Sequence, residues 1–313
     1  MNQTPPRAPH AHDDVPGALA GVTGIVIDCA DTDLTVEADD ALFDRVHLVA
    51  TNGRDAPLLL QEGNQLVITQ NGRHRGSGTP TLRVPAAACP PITGEHQKGQ
   101  LRISGVRGAI DLRHGTGDVT IRQLQADLTL NMDRGDLTLV EMTGQAHLAC
   151  GSGDVRIVQL HGLLHVAVGR GDVQIDSSSG DFDVNLGSGD VTLDACTGGM
   201  QLRIGSGDTR IVSPFDAAIN LRGGSGDATI HGGSARSINI KQGRGDISSS
   251  ARLLPDDATV TDEQEVPPQG MRIDDDGGRF TSRNLRFEAT SAGVRIQKSG
   301  TSIEADDRGV RIV

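Results

Sequence analysis

The sequence predicts an all-β fold, a parallel β-solenoid (β-helix) with 18-residue coils of two nonapeptide strands each. Three observations carry this. The phrase Gly-x-Gly-Asp, or a close variant, recurs eight times with its aspartates at Asp118, Asp136, Asp154, Asp172, Asp190, Asp208, Asp227 and Asp246, so five equal intervals are followed by two that are each longer by one. In Gly151-Ser152-Gly153-Asp154-Val155-Arg156-Ile157-Val158-Gln159 the apolar Val155 and Ile157 alternate with polar residues, and Leu164 and Val166 repeat the arrangement nine residues later. Alternation over so short a run, bounded by glycine, marks a half-buried strand, whereas a helix would space its apolar residues by three or four. Finally, the 313 residues include 41 Gly, five Phe and no Trp or Tyr, so the core has to be built from thin layers of Val, Ile and Leu. A repeat this short cannot bury its own apolar face and is stable only when stacked on its neighbours.

Residues 1–21, with Pro5, Pro6, Pro9 and Pro16, are expected to be disordered, and they contain no apolar stretch that would make a secretory signal. Residues 22–96 hold alternating strands at Ile25-Val26-Ile27-Asp28, Asp33-Leu34-Thr35-Val36, Val46-His47-Leu48-Val49, Gln65-Leu66-Val67-Ile68 and Thr81-Leu82-Arg83-Val84-Pro85. Turn residues such as Asn52-Gly53, Gly63-Asn64 and Asn71-Gly72 separate them. These strands lack the period of the later coils and are expected to form an irregular β N-terminal part that caps the solenoid.

Residues 97–250 are the repeats, nine coils beginning near Gln97, where Gly99 stands one full period before Gly117. One inward column runs through Val119, Leu137, Val155, Val173 and Val191, and a second through Ile121, Leu139, Ile157, Ile175, Leu193 and Ile211. The opposite wall is Leu130, Leu148, Val166, Val184, Leu202 and Ile204, with Val184 offset by one strand position. Burial fixes this register, because a slip of one residue would turn every Val and Ile to water. Residues 251–270, carrying Asp256, Asp257, Asp262, Glu263 and Glu265, read as an acidic linker. Residues 271–313 read as a short β C-terminal extension around Met271-Arg272-Ile273, Leu285-Arg286-Phe287, Val294-Arg295-Ile296 and Val310-Arg311-Ile312, able to cap the stack or to pair with another copy.

The strands of residues 22–96, the Leu82-Arg83-Val84-Pro85 step and the Gly-Ser-Gly-Asp-Val coils that follow resemble the bacterial putative-adhesin family of β-strand repeats, a domain of unknown function. The resemblance covers Val22 to Ser250. It implies a β-solenoid with a role at or near the cell envelope, and it brings no catalytic residues.

Eight stacked carboxylates at the parallel-strand spacing of about 4.8 Å repel by about 0.9 kcal/mol per neighbouring pair even in water. Each Asp is expected to offset this by accepting backbone N–H groups of its own glycine-rich turn, helped by Arg134, Arg170 and Arg244 two positions earlier. The alternative, a calcium-binding β-roll, places its Asp two positions after the Gly and repeats it in both halves. Here Asp follows Gly directly and is missing from most second halves, Asp127 and Asp181 being exceptions. Arg134-Gly135-Asp136, Arg170-Gly171-Asp172 and Arg244-Gly245-Asp246 spell an integrin-type tripeptide, but within a tight coil corner.

His147 and His165 share an outward column with Asp183, and His161 lies nearby; a polar face accounts for them more simply than a metal. Cys29, Cys89, Cys150 and Cys196 show no ligand spacing and read as buried free thiols in a reducing compartment.

The sequence therefore assigns no catalytic, cofactor-binding or metal residues and no cofactor. An enzymatic solenoid is the other alternative. An acyltransferase β-helix would need an aliphatic residue at every sixth position, a series that Asp172 interrupts. A carbohydrate-active β-helix would stack sugars on aromatic platforms, and Trp and Tyr are absent. The net charge of −12 and the lack of basic patches argue against nucleic acid. No segment approaches the roughly 20 apolar residues of a membrane-spanning helix. The expected protein is a non-enzymatic scaffold or adhesin-like interaction protein, cytoplasmic or peripheral to the cell envelope, that meets a protein partner or itself.

Overall fold

The computed structural model describes residues 14–49, 56–73 and 79–253, and beyond them strands at 260–262, 272–274, 277–279, 285–290, 293–298, 301–306 and 309–312. The chain forms two compact units, Met1–Ala126 and Asp127–Val313. Every regular element among the described residues is a β-strand.

The first unit contains β1 (Asp14–Ala18), β2 (Gly24–Asp31), β3 (Leu34–Asp39), β4 (Arg45–Val49), β5 (Leu58–Glu62), β6 (Gln65–Arg73), β7 (Thr81–Pro85), β8 (Ile92–Lys98), β9 (Leu101–Ser104), β10 (Ile110–Thr116) and β11 (Val119–Gln125). Pairs of these strands make parallel rungs, but the rungs do not follow the order of the chain. β2 pairs on one side with β8 and on the other with β6, while β3 pairs with β9 and β7. The next rung, β10 and β11, lies on β8 and β9. Along the stack the order is thus 65–85, 24–39, 92–104 and 110–125. The outermost rung is covered by antiparallel strands, β5 on β6 and β4 on β7, with β1 on β4. Strand β1 thus lies within the stretch expected to be disordered; Pro16 is tolerated because β1 is an edge strand. Residues 1–13 lie outside the described residues.

The second unit is a regular parallel stack. It begins with β12 (Leu128–Arg134), β13 (Leu137–Ser152), β14 (Val155–Arg170), β15 (Val173–Asp176), β16 (Ser179–Ser188), β17 (Val191–Asp194) and β18 (Thr197–Ser206). Successive rungs are displaced by one coil of chain, Leu137 opposite Val155, Val155 opposite Val173 and Val173 opposite Val191. The two longer intervals have a local cause. The register shifts by one residue between Thr197 and Gly199 and again between Ala217 and Ala218, each shift a bulge that absorbs the extra residue without turning the apolar side chains outward.

Leu137, Val155, Val173 and Val191 are at most 2% exposed, and Leu139, Ile157, Ile175, Leu193 and Ile211 at most 1%, so both inward columns are buried as the alternation requires. Val119 and Ile121 are likewise buried in the first unit. On the opposite wall Leu130, Leu148, Val166, Val184, Leu202 and Leu221 are directly in register, so Val184 is not offset. Ile204 belongs to the adjoining column with Leu186, two positions further along the same face.

At the second corner of each coil, non-glycine residues adopt left-handed backbone: φ is 56° at Gln159, 50° at Ser177, 50° at Ala195 and 46° at Ser213. Their recurrence once per coil marks a turn that the stack imposes against local preference. Residues 252–253 and 260–262, inside the expected linker, add two short parallel strands to the last rung, Val260 pairing with Ile238.

Candidate functional site

The Gly-x-Gly-Asp corner is the most regular feature of the surface, and its chemistry follows from backbone accounting. Where the chain bends, Gly171 N–H donates to Ser188 O at 3.1 Å and Val173 N–H to Asp190 O at 2.9 Å. The N–H of Asp190, between these two bonds, finds no carbonyl on the neighbouring rung. It donates to Asp172 Oδ1 at 2.9 Å. The same bond joins Asp154 to Asp136, Asp172 to Asp154, Asp208 to Asp190, Asp227 to Asp208 and Asp246 to Asp227 at 2.7–2.9 Å. The carboxylates of Asp136, Asp154, Asp172, Asp190, Asp208 and Asp227 therefore serve the next rung and not, as expected, their own turn. A hydrogen bond to a charged acceptor contributes about 1.5–3 kcal/mol, more than the repulsion between neighbouring carboxylates in water.

The exceptional second-half aspartates do the same work. Asp127 Oδ1 accepts Gln145 N–H at 3.0 Å and Asp181 Oδ1 accepts Gly199 N–H at 3.2 Å. The Arg-Gly-Asp tripeptides lie in this corner, with Gly171 at φ 129° and Asp172 already bonded, so they are not a protruding loop.

Two measurements test the ladder. Asp172→Asn keeps an Oδ1 acceptor and removes a like charge, so its stability is expected within about 0.5 kcal/mol of wild type, whereas Asp172→Ala is expected to lose about 1 kcal/mol. Equal losses in urea unfolding would show that the carboxylate charge itself matters. Because the Oδ1 atoms are committed to backbone, the melting temperature is expected to be unchanged by a calcium chelator; a large gain on adding calcium would restore the β-roll.

The outward histidine column is present. His147 pairs with His165 across adjacent strands at 6.0 Å between ring centroids, and His165 Nδ1 lies 3.4 Å from Asp183 Oδ2. Asp183 Oδ1 is taken by Arg203 at 2.8 Å, and His161 Nδ1 meets Ser179 Oγ at 2.7 Å. Among the described residues no three His, Cys, Asp or Glu side chains converge on a point that could hold a metal ion.

The cysteines are free; Cys29, Cys150 and Cys196 are buried and Cys89 half-buried. Burial pushes the thiols of Cys29 and Cys89 up to about 12 and that of Cys196 up to about 11, so none of these three is a ready nucleophile. A shallow groove of about 830 Å³ crosses several rungs of the second unit. Ala149 and Ala167 and the glycines beside them line it, with Asn131 and Asp133 at one end and Arg203 and Arg222 at the other.

The family model of Toastrack DUF4097 matches residues 22–233, more than half of the chain. The chain belongs to this Toastrack family. The likeness noted for Val22 to Ser250 is thus one of membership, and the Toastrack match reaches into the non-sequential rungs of the first unit as well as the regular coils of the second. Among solved structures, a putative cell adhesion protein from Clostridium sporogenes is similar at 12% identity, over 76% of this chain and 99% of that one, with a TM-score of 0.23. No curated protein matches the chain.

One constellation in this Toastrack chain escaped the reading of its motifs. His96 and His114 are both buried and meet through their Nδ1 atoms at 3.0 Å. The signal was available, since the two are one period apart at the repeat position that later holds Cys150, Val168 and Leu186.

Proposed function

We propose that this Toastrack protein is a non-enzymatic scaffold that presents repeated side chains to a protein partner or to another copy of itself, in association with the bacterial envelope. The observation that supports it best is the aspartate ladder, in which the most repeated polar residue is committed to joining one rung to the next. A carboxylate so used holds a surface rigid and is not held in reserve for acid–base work. Rigidity lowers the ordering cost of binding, which suits a scaffold. Among the described residues no helix is long and apolar enough to cross a membrane.

The end of the second unit bears on self-association. A parallel stack leaves unpaired backbone groups on its last rung, a template for end-to-end growth unless covered. Strand 277–279 lies against Ile247–Ser249, and strand 285–290 against Val260–Asp262. Residues 293–312 continue as antiparallel strands. We read residues 271–313 as a cap. A chain ending at Gly270, which keeps the strands at 252–253 and 260–262, is expected to form larger species than the full chain in light scattering. A shift to smaller species would make the tail the contact between copies, and an unchanged mass with unchanged stability would sink both versions. Affinity capture of the full chain from its native membrane and soluble fractions tests the wider reading; a monomer that captures nothing and turns over a small molecule would overturn it.

A further inference from the structure

Gln70, Cys29, His96 and His114 form one inward column in the first unit, Cys29 standing opposite Gln70 on one side and His96 on the other, and His96 opposite His114. All four are buried. The imidazole planes of His96 and His114 are 8° apart with centroids separated by 5.0 Å, while the Nδ1 atoms are only 3.0 Å apart, so the nitrogens point at each other and the rings meet edge to edge. Each outer nitrogen faces a backbone carbonyl, His96 Nε2 to Thr32 O at 2.8 Å and His114 Nε2 to Gly117 O at 2.9 Å.

A carbonyl oxygen only accepts, so each Nε2 has to carry a hydrogen. Three contacts in a row then require three hydrogens, and two neutral imidazoles bring two. With both on Nε2, two lone pairs oppose each other across 3.0 Å in a buried site. Moving one to Nδ1 only transfers the conflict to a carbonyl. We propose that His96 and His114 together bind one shared proton, an imidazolium–imidazole pair that ties the rung of residues 24–39 to the rungs of 92–104 and 110–125. A metal fits poorly, because the two Nδ1 atoms point at each other, so an ion about 2.0 Å from both would lie off both lone-pair axes, and among the described residues no third ligand converges there.

Within this unit burial opposes charge on the pair, and one carboxylate together with hydrogen bonds to two carbonyls offsets that for a single proton. Asp33, at the corner between β2 and β3, supplies a nearby negative charge and holds Gln100 N–H at 2.8 Å. From β2 comes the neutral thiol of Cys29, and Asp31, which is paired with Lys98 of β8 at 3.8 Å. From β6 comes the uncharged Gln70, whose Oε1 accepts from Ala30 and Asp31 N–H. A second proton is opposed: burial first, then the charge of His114, push His96 down to about 4. The pair thus titrates in two separated steps. A shared proton held at neutral pH would be bound more readily than by an unfolded histidine, so its contribution to stability is present at lower pH and lost as pH rises through that step. The second binds less readily, so stability is lost again as pH falls from about 6.5, the unfolded value, to about 4.

The test is nitrogen NMR on the histidine-labelled full chain, with His96→Leu and His114→Leu for assignment, from about pH 5 to about pH 9. The expected result is hydrogen on both Nε2 throughout and one further, strongly downfield hydrogen between the Nδ1 atoms that is lost as pH rises. A pair holding two hydrogens over the whole range, one ring carrying its hydrogen on Nδ1, would overturn the proposal, as would two ordinary independent titrations. Because Leu186 occupies the same repeat position, the double variant His96→Leu/His114→Leu is built to fold. The difference in melting temperature between wild type and this variant is expected to pass through a maximum with pH; a flat difference overturns the proposal.

Discussion

Val173→Asp is expected to unfold the middle of the second unit. Val173 is 1% exposed and sits in a column between Val155 and Val191, which are equally shielded. A carboxylate there loses its hydration and meets only aliphatic carbon, a cost of several kcal/mol after relaxation. That is comparable to the roughly 5–15 kcal/mol that holds a domain together. A repeat stack yields locally, so amides of the rungs around residue 173 are expected to exchange with solvent first. Hydrogen exchange resolved by residue checks this; a loss below about 1 kcal/mol would mean that the interior is wet or mobile.

Gly171→Ala is expected to cost about 3 kcal/mol or more, for a different reason. Gly171 has φ 129°, a region that is strained for any residue with a Cβ, and that atom would collide with the carbonyl oxygen of Gly153 on the rung before. Relief requires the two rungs to part, which breaks hydrogen bonds on both sides of the corner. Gly232→Ala is the control. Its φ is 65° and a Cβ there meets nothing within 4 Å, so only the left-handed backbone cost of about 1–2 kcal/mol remains. Equal losses for the two variants in urea unfolding would show that the rung spacing gives way easily.

These two residues also show what the sequence could and could not disclose. Val173 was readable because consecutive rungs of the second unit are consecutive in the chain, so one fixed offset relates every neighbour. In the first unit Ile25 faces Ile92 on one side and Leu66 on the other, offsets of 67 and 41, and no search for a period finds neighbours that far apart. The strands of residues 22–96 were visible there, but not their places in the stack. The aspartates were legible as a column, but their acceptor role was not. Which N–H lacks a carbonyl depends on how the corner bends, and alternation says nothing about that. His96 and His114 carried the right spacing, but the coils that follow hold Met132, Cys150, Val168, Leu186 and Ile204 at that position, so they read as filling.

The aspartate ladder of the second unit has a direction. Asp172 Oδ1 accepts from Asp190, and Asp154 Oδ1 from Asp172; in every bond the earlier residue supplies the acceptor and the later one the N–H. During synthesis each new coil of that unit therefore emerges to find its seat already formed on the coil immediately behind it. Such short loops close quickly, and the acceptor needs no partner that has yet to be made. The rung of residues 24–39 has no such advantage. Its strands leave the ribosome early but remain without neighbours until residues 65–85 and 92–104 follow, so the beginning of the chain waits on what comes later while the rest can order itself as it is made.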